Sequence, residues 1–255
     1  MSRIAQLRRT AARIGYVRLL VTAVLLGAAL LAARWSWHAP LSLDAERAMY
    51  DVRELLTAPR VDQDQRILMI VYTDDTLERT GRRSPLDRAL LGRALTRIDR
   101  LGAKAIGIDI LIDQPEPEDP VLIRAMRGMR TPTYLAFATN AHNADAVLAW
   151  QERFQRHFQA ELAPGNVHPA SIRIEADPDG VMRSWPSRPP GLPPLLVDRL
   201  AGGPGKFAHY QRSIAYRLPR TTDRPVFEEL PIDLFDTDAG AEMLRNEVAG
   251  RYVLI

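Results

Sequence analysis

Three short, continuous apolar runs constrain the fold most: RILMIVYT at 66–73, KAIGIDILI at 104–112 and TYLAFAT at 133–139. None alternates polar with apolar residues, so each reads as a strand covered on both faces. Between them the period changes to that of a helix. Over 85–101, Leu86, Leu90, Leu91, Leu95, Ile98 and Leu101 form one stripe. Ser84 is the expected N-cap of that helix, with Pro85 at its first position, Asp87 in its first turn and Gly102 as its C-cap. A second helix is expected over 120–129. Strand, helix, strand, helix, strand at this spacing predicts right-handed crossovers and a three-layer α/β domain with a mainly parallel central sheet.

The rest of the chain reads less sharply. Segment 41–58 has helical spacing and stops at Pro59. Segment 143–162 reads as a polar helix whose Trp150, Phe154 and Phe158 form a packing stripe. Strand, turn and strand are expected over 171–185, with Asp177-Pro178-Asp179-Gly180 as a tight turn. A short helix follows at 193–200 and a strand at 214–218, and the Pro-rich 219–237 reads as irregular. RYVLI at 251–255 begins as a buried strand and stops, so the sequence is expected to continue beyond it.

Ahead of this domain, fifteen uncharged residues run from 19 to 33 between Arg18 and Arg34. Counted from Ile14 to Trp37, a helix there is about 36 Å long, enough to span a bilayer. Tyr16 at one end and Trp35 and Trp37 at the other suit the two interfaces. Residues 1–34 carry six arginines and no acid, leaving 28 basic against 31 acidic residues in the remainder. The basic balance of the whole chain therefore belongs to its first segment, and a nucleic-acid partner is not expected. Five of the arginines precede the apolar run, which places 1–15 in the cytoplasm, 16–37 in the inner membrane as an anchor, and 40–255 outside. A cleaved signal peptide is the rival reading, but the small residues it needs at −3 and −1 fall only within the apolar core.

Four carboxylates are expected near the C-terminal ends of parallel strands, where ligands bind such sheets: Asp74, Asp75, Asp109 and Asp113. They are the candidate contacts for a ligand or cation, against the plainer reading of caps, turns and arginine partners. No nucleophile accompanies them. An EF-hand reading of 175–186 fails because Pro186 stands where Glu is required. Gly202-Gly203-Pro204-Gly205-Lys206 fails as a phosphate loop, since Leu200 and Phe207 occupy the Gly and Ser/Thr positions. The five histidines have no metal-ligand spacing, and neither a metal nor a cofactor is expected.

Taken together, these segments resemble the type-2 CHASE sensor family over roughly 40–255. The entry helix with Tyr50-Asp51-Val52-Arg53, the first strand ending in Asp75 and followed by Thr76-Leu77 and Gly81, and above all GAKAIGIDILID at 102–113 carry the likeness. Asp119, Gly165-Asn166-Val167, DPDGVMR at 177–183, Ile214-Ala215-Tyr216-Arg217 and Tyr252-Val253-Leu254-Ile255 extend it. Ahead of the helix at 85–101, at Arg82-Arg83-Ser84-Pro85, the family's Trp is missing and only Pro85 remains. The resemblance implies an extracytoplasmic sensory module, acting as a homodimer. It would respond to a stimulus or small ligand and relay it through membrane helices to a nucleotide cyclase, a histidine kinase or a Ser/Thr kinase. It implies no catalytic residues. An anchored envelope hydrolase using the same four acids and a scaffold protein are the alternatives.

Overall fold

The computed structural model describes residues 15–36, 40–142, 146–203, 210 and 212–255. The arginines at 3, 8, 9 and 13, Trp37, the expected helix start at Asn143, and Pro204-Gly205-Lys206 lie outside the described residues. The chain divides into two compact units at Ala58/Pro59.

Among the described residues the first unit holds two helices. Helix α1 (Tyr16–Ser36) is long and apolar enough to cross a membrane. Arg34 stands in its last turn, where a cation suits the helix dipole. Helix α2 (Pro40–Thr57) follows and ends ahead of Pro59, as expected. Met49, Val52, Leu55 and Leu56 on it are exposed.

The second unit is built on strands β1 (Arg60–Val61), β2 (Asp64–Val71), β3 (Ala105–Ile108), β4 (Thr133–Phe137), β5 (Val167–Ser171), β6 (Leu218–Pro219), β7 (Phe227–Pro231) and β8 (Tyr252–Leu254). Its helices are α3 (Asp74–Thr80), α4 (Arg88–Leu101), α5 (Asp119–Arg127), α6 (Ala149–Glu161), α7 (Leu196–Leu200), α8 (Asp238–Met243) and α9 (Arg245–Val248). Six strands form a wholly parallel sheet in the order β5-β4-β3-β8-β2-β7, and β1 pairs with β6 apart from it. The expected α/β class with a parallel sheet is present. On one face Leu68, Ile70, Ile106, Ile108 and Val253 pack against Leu91, Leu95 and Ile98 of α4, Leu122 and Met126 of α5 and Phe158 of α6, all buried in one core. Among the described helices, α7 lies on the other face, over β3, β4 and β5.

Strands β2, β3 and β4 fall near their expected places, β1 was not expected, and other boundaries need correction. Helix α4 starts at Arg88 rather than Pro85, because the Asp87 carboxylate, not Ser84, caps it: Oδ1 accepts from the N–H groups of Ala89 at 2.8 Å and Leu90 at 2.9 Å. Asp87→Ala is expected to lower stability by about 1 kcal/mol, read as a shifted urea midpoint at constant slope. Gly102 does close α4, with φ +82°. The turn at 177–180 forms, with Gly180 at φ +80° donating its N–H to the Asp177 carbonyl at 2.8 Å. The strands expected beside it do not form. The buried Arg183 side chain turns back onto Asp177 and Asp179, and Ser184 bridges to Ser213 instead of across the turn. The real strand, β5, precedes that region and accepts Pro169 because it is a sheet edge. The segment read as irregular, 219–237, contains the opposite edge strand β7 and a 3-10 turn at Ile232–Phe235, with Ile232 and Phe235 fully buried. The strand expected at 214–218 is reduced to the two residues of β6.

Candidate ligand-binding site

Strands alternate their side chains between the two faces. On β2 and β8 the core face takes Leu68, Ile70 and Val253, leaving Ile67, Met69, Val71, Tyr252 and Leu254 for the other. Helix α7 stops short of these strands, so its Leu196 and Leu200 form a wall rather than a roof. Gly107 brings that wall close: a Cβ there would lie 2.9 Å from Leu254 Cδ2, 3.0 Å from Leu200 Cδ1 and 3.3 Å from Leu196 Cδ1. The result is an open hollow of about 860 Å³, floored by aliphatic side chains. It runs from Arg66 to Asp109, Tyr72 and Ile255 at the C-terminal ends of the strands. From the level of Arg66 to that of Val71 is about 16 Å along the strand.

Two charged side chains line it. Arg66 is neutralised by Asp64, whose oxygens lie 3.0 Å from Nε and 2.5 Å from Nη2, and this contact holds the Asp64 carboxyl below its ordinary range. Asp109 follows β3, anchored by its backbone N–H, which donates to the Ile255 carbonyl at 2.7 Å. No side chain among the described residues compensates its carboxylate. Desolvation by the apolar walls raises its pKa above the ordinary aspartate value. Burial raises the Tyr72 hydroxyl as well, helped by the carboxylates of Asp87 and Asp233.

The other three candidate acids sit elsewhere. Asp74 and Asp75 are exposed in the first turn of α3, where they complement the helix dipole. That helix is capped by a reciprocal pair of hydrogen bonds between Thr73 and Thr76. Asp113 accepts a hydrogen bond from Gln151 Nε2 at 2.6 Å and lines a separate hollow beside Arg88. Among the described residues no three His, Cys, Asp or Glu side chains gather as a metal ion would require. The apolar floor was not legible as a site, because a run such as RILMIVYT reads the same whether its second face is covered or open. The one available signal was Gly107 inside a strand pattern, which marks a close approach.

Among the described residues, the half-covered parallel sheet presents an apolar hollow with the Asp109 carboxylate at its rim. The model of the CHASE2 domain family matches residues 21–254, and the chain belongs to that family. Comparison with curated proteins and with solved structures returned no match. CHASE2 domains are extracellular sensory domains, so a signalling role fits this chain, and the apolar helix α1 fits a membrane-anchored protein.

Proposed function

We propose that this chain is the sensory part of a bacterial membrane receptor. In this reading α1 anchors it in the inner membrane, the Arg-rich start is cytoplasmic and the α/β unit lies outside. Membership of a sensory family together with an apolar helix behind an arginine cluster carries it. A stimulus acts by differential affinity for two states of the domain, and the shifted equilibrium passes through the membrane to a cytoplasmic output. That output is a nucleotide cyclase in the first instance, with a histidine or Ser/Thr kinase as the alternatives. Pairing of two copies suits the exposed apolar residues of α2, which a second helix would cover.

The absence of cysteine makes the topology directly testable. In spheroplasts a membrane-impermeant maleimide is expected to label Thr222→Cys at once and Ser2→Cys only after lysis. The reverse pattern overturns the orientation, and labelling of both before lysis overturns the anchor.

A further inference from the structure

We propose that the hollow beside α7 binds a small organic cation, an amine on an apolar body, with the ammonium at Asp109. The inference deepens the sensory reading by assigning the chemistry of its ligand, and it rests on three observations.

The first is architectural. Parallel sheets bury both faces, yet the β8-β2 half of this one is open, with Met69, Val71 and Leu254 only partly buried beside α7. About 860 Å³ falls within the roughly 300–1,000 Å³ of small-molecule sites.

The second is electrostatic. In this arginine-rich chain five acids near the sheet are paired: Asp64 with Arg66, Asp119 with Arg88, Asp198 with Arg188, and Glu228 and Glu247 with Arg251. Asp109 has no such partner, although it lines the hollow. Its carboxylate is exposed at the rim of the hollow, so it is open to a ligand's cation and not taken up by an arginine of the chain.

The third is the placement of the remaining charges. Arg66 stands at the far end of the hollow and is already paired with Asp64, so it offers an anionic group little. Helix α7 contributes Asp198, paired with Arg188, and Arg199, whose guanidinium lies over the Tyr134 ring. Tyr72 and Tyr252 are the other titratable lining groups, and Glu229 of β7 stands in register with Met69. The balance at the Asp109 end is negative.

The pH sign follows from the same site. A cation binds the ionised carboxylate, so affinity is full above the Asp109 pKa and falls as pH drops through it. The fall comes at a higher pH than for an ordinary aspartate, because the pKa is raised.

The test uses the full chain in lipid nanodiscs and three isosteres: tryptamine, neutral 3-ethylindole and anionic indole-3-propionate. Calorimetry is expected to rank tryptamine first. Asp109→Asn is expected to weaken tryptamine by roughly tenfold or more while leaving 3-ethylindole unchanged. Met69→Trp, which fills the floor, is expected to abolish binding of all three while the melting transition survives. Equal binding of tryptamine and indole-3-propionate, or an unchanged affinity in Asp109→Asn, overturns the proposal. So does no binding by any probe, and if Met69→Trp then changes the oligomeric mass, the face is a protein contact. Maleimide topology and calorimetry fail independently, so a wrong ligand class is distinguishable from a wrong orientation.

Discussion

Deleting Tyr252–Ile255 leaves the α/β unit unable to fold. These residues are central in the sheet, with β8 lying between β3 and β2. Val253 pairs with Ile106 on one side and Leu68 on the other, and all three are fully buried. The ladder continues beyond the strand: Lys104 N–H donates to the Arg251 carbonyl at 2.8 Å, and Ile255 N–H to the Gly107 carbonyl at 2.9 Å. Without β8, the β2-β7 pair is cut off from β3, β4 and β5, and two rows of backbone polar groups lose their partners. The loss is expected to exceed the roughly 5–15 kcal/mol by which a domain of this size is stable. The measurement is far-UV circular dichroism with limited proteolysis of the truncated chain. A protected fragment from 59 onward would contradict the central role of β8. Val253→Ala is the graded control, expected to cost about 2 kcal/mol through lost burial and residual cavity.

The second large effect lies at the buried pair Arg88–Asp119. Arg88 is 3% exposed at the first position of α4 and bonds the Asp119 carboxylate and, at 2.6 Å, the Gln114 carbonyl. Asp119 also accepts from the Glu116 N–H at 3.0 Å, so this one pair ties α4 to the start of α5 and its approach. Arg88→Leu strands a largely buried carboxylate, and Asp119→Leu strands a buried guanidinium. Each is expected to destabilise by about 3–5 kcal/mol. The double variant removes both charges and is expected to recover most of that loss, ending more stable than either single variant. Urea denaturation of the four chains gives the cycle. Additive losses would show that the two side chains do not depend on each other. Asp119 opens α5, and its pairing with Arg88 gives that position a structural role.

Much of the fold was written locally. An apolar run bounded by polar residues admits little besides a strand, and the stripe from Leu90 to Leu101 admits little besides a helix, so β2, β3, β4 and α4 stand close to where the sequence puts them. Caps were less secure. Ser84 and Asp87 are both competent, and only the position of the chain on the sheet decided that Asp87 meets the first free N–H groups. The hairpin at 171–185 failed for a longer-range reason: its turn chemistry is correct, but the buried charge on Arg183 is satisfied by the turn itself and the backbone beyond it pairs with Ser213.

What the sequence by itself determined was the class: a parallel α/β unit preceded by an apolar helix behind an arginine cluster. Both follow from patterns within ten to twenty residues, where sterics and burial act locally. Which strands adjoin, and which face stays open, was decided only in the tertiary structure. β8 reaches β3 and β2 across well over a hundred residues of chain, and no local periodicity encodes that choice. The four candidate acids show the same division. They follow or lie near strand ends as the sequence implies, but Asp74 and Asp75 face solvent on α3, Asp113 meets Gln151, and Asp109 is the one of the four that lines the hollow. The hollow exists because α7 is too short to roof the sheet, and that length matters only once the sheet is assembled.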